Sequence, residues 1–164
     1  MEKNNRHSLY IFTMLIHEWG NATWYLFHTL SYKLKDSESA HAAKLLELFV
    51  SMCKNLPCPI CREDATKMLS TSKMTIVSTK ADLIRFMWQF HNLVNNKLKK
   101  PEMTFEEHNE KYAQANTQKI VYFYINVMSK NANNSRAMLD SFKRQDNTKE
   151  FQKYFNENIH RFNP

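Results

Sequence analysis

The chain has 164 residues, 43% of them hydrophobic and 13% aromatic, enough for one domain, or a domain with an appendage, around a real core. One glycine and four prolines are too few for a sheet with tight hairpins or for a glycine-rich nucleotide loop, so the fold class is all-α. The net charge of +7 comes from 23 basic and 16 acidic side chains scattered as solvated faces rather than gathered for nucleic acid, and three cysteines, an odd number, exclude a secreted disulfide scaffold.

Residues 1–8 are polar and should fray. The apolar run Leu9 to Ile16 is too short to span a bilayer. His17 and Glu18 follow at once, with no small-residue cleavage site, so it does not read as a signal peptide. A soluble, intracellular, cytoplasmic protein with no membrane span is the expectation.

A first helix is predicted from Glu18 to Leu34. Gly20, Trp24, His28 and Tyr32 (or Ser31) recur at three- and four-residue spacing and share one face. Gly20 costs a helix roughly 1 kcal/mol against alanine, which points either to a close backbone approach or to an irregular helix start. Residues 36–39 form a polar break. A second helix, Ser39 to Asn55, carries Leu45, Leu46, Leu48, Phe49 and Met52, with Cys53 in its last turn.

Leu56 to Met68 reads LPCPICREDATKM and holds Cys58 and Cys61 as a Cys-x-x-Cys pair. Proline suits the first turn of a helix, so the pair should sit at a helix start, with Cys61 inside the first turns. Unpaired N–H groups and the helix dipole there stabilise a thiolate. A redox-active dithiol, half of a zinc site and two buried thiols all fit this stretch alone. The helix runs to about Ser70, and residues 71–79 form a loop.

Thr79 to Asp82 has capping-box spacing and opens a helix to about Leu98. Leu83, Met87, Phe90, Val94 and Leu98 make its apolar stripe. Beside it Trp88, His91, Asn92 and Asn95 fall at i, i+3, i+4, i+7. An indole, an imidazole and two amides on one face read either as a satisfied polar patch between helices or as a surface for a flat polar ligand. Lys97, Lys99 and Lys100 follow, fit to meet phosphates or simply to end a helix. Pro101 stops the helix. A second capping-box pattern, Thr104 to Glu107, opens a short fifth helix to about Ala115 that includes Tyr112.

Residues 117–164 change character. Val121 to Val127 is apolar and suits a helix or a strand. Asn131 to Ser135 is a polar break. Two amphipathic helices, Arg136 to Gln145 and Thr148 to Arg161, should follow. No chemical constellation appears in this part, which reads as a helical appendage that packs on the core or binds a partner.

Three blocks together resemble the Erv/ALR family of FAD-linked sulfhydryl oxidases. They are WGNATWYLFHTLSY (Trp19 to Tyr32), LPCPICREDA (Leu56 to Ala65) and FMWQFHNLVNNKLKKP (Phe86 to Pro101). The family pattern of glycine, tryptophan and a Leu-His-like pair falls on Gly20, Trp24 and Phe27-His28. Pro-Cys-x-x-Cys falls on Pro57 to Cys61. The last pattern falls on His91-Asn92-x-Val94-Asn95-x-x-Leu98-x-Lys100. The likeness covers roughly residues 18–115, which divides the chain into an N-terminal segment 1–17, an oxidase domain 18–115 and a C-terminal helical extension 116–164.

The resemblance implies a bundle of four helices plus a short fifth, holding FAD, in a homodimer. It places Gly20, Trp24, His28, Trp88, His91, Asn92, Asn95, Lys97, Leu98 and Lys100 on cofactor-contacting positions, with Tyr112 near an aromatic that covers the cofactor. Cys58 matches the outer cysteine that exchanges with a substrate dithiol, and Cys61 the flavin-proximal one. The implied activity is disulfide formation in protein dithiols, with electrons passing through Cys58–Cys61 and flavin to O2 and giving H2O2. The implied donor is a dithiol protein, thioredoxin-like in kind; no metal is called for. The chain departs from the pattern in four ways. It lacks the extra structural disulfide and the shuttle Cys-x-x-Cys of many cellular members. Leu56 stands where an aromatic is common, and Lys99 where a glycine is common. The compact cysteine set looks more like members encoded by large DNA viruses, which adds the virion as a second location. The alternative is a non-enzymatic zinc or interaction module using Cys58, Cys61, His91 and another histidine.

Overall fold

The computed structural model describes the backbone of residues 2–72, 76–130 and 138–164, and side chains from residue 17 onward within those ranges. Among the described residues seven α-helices run in order: α1 Glu2–Lys33, α2 Ala42–Cys53, α3 Pro59–Thr71, α4 Lys80–Lys97, α5 Phe105–Ala113, α6 Thr117–Met128 and α7 Met138–Asn158. Short 3-10 turns cover Asp36–His41 and Ile159–Arg161. Among the described residues no strand forms, apart from one isolated bridge between Leu34 and Phe162. No helix among them is long and apolar enough to cross a membrane.

Local chemistry sets most boundaries. Thr79 and Asp82 close a reciprocal capping box on α4, and Thr104 and Glu107 do the same on α5, so four otherwise unpaired donors are satisfied at two helix starts. Asn116 accepts from the Lys119 N–H to begin α6. Helix α4 ends with Lys99 in the left-handed region at φ 55°. Lys100 N–H bonds the Asn95 carbonyl at 2.9 Å and Lys99 N–H bonds that of Asn96 at 3.1 Å. That pair of bonds is a Schellman motif, whose left-handed residue is most comfortably a glycine. The lysine at this position therefore sits in a conformation that glycine would adopt without steric cost.

Several boundaries differ from the sequence expectation. The first helix does not start at Glu18; it is continuous from Glu2, since no proline interrupts its 32 residues. Gly20 lies within this unbroken helix, so the irregular-start explanation does not hold. A Cβ added there would meet nothing within 4 Å, so no protein backbone approaches it closely either. The expected break at 36–39 is a 3-10 turn, and the second helix starts at Ala42 rather than Ser39. The apolar Val121 to Val127 segment is helical. The two helices expected after residue 136 are one, α7, because nothing between Gln145 and Thr148 breaks the hydrogen-bond ladder. The Asn131 to Ser135 break lies outside the described residues.

One core serves the whole described chain. Leu26, Phe27 and Leu30 of α1, Leu45, Phe49 and Met52 of α2 and Leu83, Met87 and Phe90 of α4 pack in the same cluster as Val121, Tyr124, Val127 and Met128 of α6, Phe151 and Phe155 of α7, and Phe162. Helix α1 packs along α6 and against α4 and α5. The C-terminus then returns to the end of α1. Lys35 N–H donates to the Arg161 carbonyl at 2.9 Å, and Asn163 N–H to that of Lys33 at 2.7 Å. Arg144, buried, donates Nε to the Met128 carbonyl at 3.1 Å and Nη2 to that of Lys130 at 2.9 Å. One guanidinium thus satisfies carbonyls left over at the end of α6. Of the two expectations for the extension, packing on the core is the one the structure shows.

Candidate active site

Cys58 and Cys61 form a disulfide, with their Cα atoms 5.2 Å apart. Cys58 is the N-cap of α3, Pro59 fills its first turn, and the Cys61 N–H points at Cys58 Sγ at 3.2 Å. The helix start therefore serves the sulfur of Cys58, whereas the sequence reading placed that stabilisation at Cys61. In the reduced state a Cys58 thiolate gains the N–H and the positive end of the helix dipole. Cys58 is only 4% exposed, and Cys61 is half-buried. Ile60, between them in sequence, is 71% exposed. Cys53 is a free thiol, buried under the core, and burial pushes its pKa up to about 12, so it stays a thiol.

The second part of the site is a chain of histidines linking α4, α1 and α5. His91 Nδ1 lies 2.9 Å from His28 Nε2, His28 Nδ1 2.8 Å from His108 Nε2, and His108 Nδ1 2.9 Å from Tyr32 Oη. The Tyr32 hydroxyl donates to Asn109 Oδ1. With that carboxamide oxygen accepting and all three imidazoles neutral, each earlier bond takes one direction. Tyr32 Oη accepts from His108 Nδ1–H, His108 Nε2 accepts from His28 Nδ1–H, and His28 Nε2 accepts from His91 Nδ1–H. All three imidazoles are neutral in this arrangement, and His91 keeps Nε2 as an acceptor. Burial is the main reason each stays neutral. It lowers His91 to about 3 and His108 to about 4, and lowers His28 well below the usual range, with the neighbouring histidines and Lys111 adding to the effect on His28.

Aromatic rings stack around this chain. Trp24 lies on His91 with centroids 3.9 Å apart and planes within 8°. Tyr112, buried, lies 4.4 Å from the His28 ring. Lys111 reaches over the rings of Tyr25 and Tyr112 at 5.3 and 5.2 Å. Lys100 also bears on the charge balance of His91.

The structure thus brings the rings of Trp24, His28, His91 and Tyr112 together. It gives other predicted contacts partners within the chain. Trp88 Nε1–H donates to the Met103 carbonyl at 2.8 Å, and Asn92 Nδ2–H donates to it at 2.9 Å. Met103 N–H returns a bond to Asn92 Oδ1 at 3.0 Å. These two side chains fix the segment between α4 and α5, and with it the position of His108. Lys97 is paired with Asp64 of α3, which ties the disulfide helix to the end of α4. Asn95 is buried, and Leu98 and Lys100 are exposed at the same end of α4. A separate groove of about 390 Å³, lined by Val77, Arg85, Phe86, Gln89 and Leu93 among others, lies on another face of α4, and no predicted site residue lines it.

His108 and Asn109 went unread in the sequence. The available signal was the spacing Phe105, His108, Tyr112, which puts all three on one face of α5. The zinc alternative finds no support in the geometry. Its two sulfurs are bonded to each other, its His91 is engaged with His28, and among the described residues no group of three candidate ligands could hold a metal ion.

The structure thus holds a disulfide at a helix start and a histidine-and-indole stack within one all-α bundle, which is the class of small helical protein with a Cys-x-x-Cys pair. The model of the Erv1 / Alr family matches residues 21–113, more than half of the chain, and the chain belongs to that family. It is 32% identical over 87 residues to 096R of Invertebrate iridescent virus 3, a protein whose name provisionally assigns it as a FAD-linked sulfhydryl oxidase. That match covers 52% of this chain and 59% of 096R, so this chain spans less than two thirds of that relative. It is 26% and 25% identical over 105 residues to the FAD-linked sulfhydryl oxidases of two African swine fever virus isolates, from a Namibian warthog and a Kenyan pig, covering 63% of this chain and 87% of each. No solved structure matches the chain.

Proposed function

We propose that this chain is a FAD-dependent thiol oxidase that forms disulfides in protein dithiols through Cys58–Cys61. The observation that carries the reading is the disulfide at the N-cap of α3, with the Cys61 N–H on Cys58 Sγ. The family membership and the names of the relatives support it.

The residues present fit FAD. Trp24 stacked on His91 offers a flat aromatic surface, the open face at Gly20 lies one turn from Trp24 on α1, and exposed Lys100, with Lys97 beside Asp64, would offer cations for phosphates at the end of α4. His91 Nε2, held as an acceptor by the histidine chain, would receive a donor from the cofactor. His28, Tyr112 and Asn95 would shape the pocket, Leu98 would add an apolar contact, and Trp88 and Asn92 would act by holding the Met103 segment in place. When bound, FAD supplies two-electron acceptance from the dithiol and its return to oxygen as hydrogen peroxide.

The exchange itself follows from the cysteines. A substrate thiolate attacks Cys58 Sγ, the Cys58–Cys61 bond breaks, and Cys61 leaves as thiolate. The second substrate thiol, deprotonated, attacks the substrate sulfur of this mixed disulfide, and Cys58 leaves as thiolate. Its departure is favoured by the Cys61 N–H and the helix start. The substrate loses two electrons and two protons, and the enzyme pair is left reduced. The donor is a dithiol protein, thioredoxin-like in kind, and the working unit a homodimer, in the cytoplasm or the virion.

One observation favours the opposite order of attack: Cys58 is the more buried of the two residues. Trapping decides between them. A Cys61→Ser variant incubated with a small-molecule disulfide should exchange with it, releasing one small thiol and keeping the other as a mixed disulfide on Cys58, read by mass. A mixed disulfide that forms on Cys61 in Cys58→Ser, and on nothing in Cys61→Ser, would reverse the assignment.

A further inference from the structure

Arg62 follows Cys61 directly and joins three parts of the chain. Its backbone N–H bonds the Cys58 carbonyl at 3.0 Å. Its Nη1 donates to the carbonyl of Leu56, two residues before Cys58, at 3.3 Å. Its Nη2 donates to Asp140 Oδ2 on α7 at 2.7 Å. One guanidinium therefore bridges the segment entering the disulfide and the helix leaving it, and a carboxylate from the C-terminal extension fixes where that guanidinium lies. Both partners are partly shielded from water, with side chains 22% and 37% exposed.

Asp140 is itself held firmly. Arg144, one turn further along α7, anchors the helix on the carbonyls of Met128 and Lys130. The Arg62 hydrogen bond keeps the Asp140 carboxyl below the usual range, with the charges of Lys143 and Arg144 helping, so it is an anion at neutral pH.

An uncompensated cation next to a Cys-x-x-Cys pair favours the thiolate, and so the reduced form. A stabilised reduced form makes a disulfide a stronger oxidant. Asp140 opposes this by neutralising Arg62. We propose that Asp140 is a positioning residue of the Cys58–Cys61 pair. Through Arg62 it fixes the geometry around the disulfide and holds the reduced dithiol less acidic, and the disulfide less oxidising, than Cys-Pro-Ile-Cys-Arg alone would be. The proposal rests on Cys58–Cys61 being the exchange pair, and gives the extension a part in the reaction.

The test uses the full-length holoprotein as wild type, Asp140→Asn, Arg62→Gln and the double variant. Each is equilibrated without oxygen in glutathione buffers of set ratio, quenched by alkylation and weighed. The rate of alkylation against pH gives the thiol pKa. Reduction takes two electrons and two protons from glutathione, and above the thiol pKa one proton stays in solution. In buffer above the thiol pKa, Asp140→Asn should move the equilibrium about threefold toward the dithiol, equal to about 14 mV, and lower the thiol pKa by about half a unit. In the Arg62→Gln background the same change should do nothing further. An unchanged equilibrium and pKa in Asp140→Asn overturns the proposal, even if thermal stability falls, because Asp140 is then a structural anchor alone. An equal shift in both backgrounds also overturns it, because the effect then does not pass through Arg62. Absence of thiol-dependent turnover in the wild type would refute the oxidase reading instead, and the glutathione equilibrium would still decide this one.

Discussion

The region matched by the family model and the helices after it are built on opposite principles. Residues 21–113 hold polar chemistry in their interior: a line of neutral imidazoles between α1, α4 and α5, and a disulfide at a helix start. Residues 117–164 contribute mainly apolar rings to the core, and their buried cation, Arg144, is spent on backbone carbonyls. The first region costs stability to place its polar groups, since every buried donor and acceptor must be met. The second recovers stability by burial. The difference explains how a small bundle carries so polar a centre: α6, α7 and the returning C-terminus close its core from outside.

The largest effect should come from taking the second region away. Residues 117–164 bury Val121, Tyr124, Val127, Met128, Phe151, Phe155 and Phe162. At about 1.5–3 kcal/mol for each large apolar side chain, their loss is as large as the roughly 5–15 kcal/mol that hold a domain together. A chain ending at residue 116 should show no cooperative melting transition by circular dichroism. A sharp transition near that of the full chain would mean the first region stands by itself.

The polar region should break with acid. His28, His91 and His108 are held neutral when folded, with pKa values below the unfolded value near 6.5. Their stabilising contribution is whole above about pH 6.5 and is lost as pH falls toward 4 and then 3, at roughly 1.4 kcal/mol per pH unit for each histidine. Burial lowers His41 too, and it adds to the slope. Urea midpoints between pH 7.5 and 4.5 should fall steeply on the acid side. A flat profile would show that the histidines are not buried as a neutral chain.

Two smaller substitutions sharpen the contrast. Thr29 is fully buried on α1, and its Oγ1 has no hydrogen-bond partner among the described residues. Thr29→Val removes an unmet polar group and should raise stability by about 1–2 kcal/mol, or roughly 2–6 °C in melting temperature. Lys99→Gly relieves the left-handed residue of the Schellman motif and should add about 0.5–1 kcal/mol. A fall in melting temperature in either variant would count against the local geometry described.

What was legible in the sequence follows the same division. Both capping boxes, the helix start at the cysteines and the shared face of Trp24 and His28 could be read because each depends on neighbours within a turn or two. His91 could be singled out on its stripe, but not its partner. That His28 would bond His108, eighty residues away, is set by how α1 and α5 cross, which no local pattern records. Trp88 and Asn92 looked free to meet a ligand because their common target, the Met103 backbone, is an irregular segment with no side-chain signature. The extension was the least legible part. The β-branched and aromatic run at Val121 suits a strand as well as a helix until α1 is there to pack against it.

The proposed function requires the cysteine pair to hand electrons to a bound flavin. The most direct test is the visible spectrum and thiol-dependent oxygen uptake of the purified wild type beside its Cys61→Ser variant. Both should be yellow, with flavin bands intact, while the variant loses oxidase turnover by orders of magnitude. A colourless wild type, or a yellow Cys61→Ser protein that consumes oxygen as fast as the wild type, would contradict it.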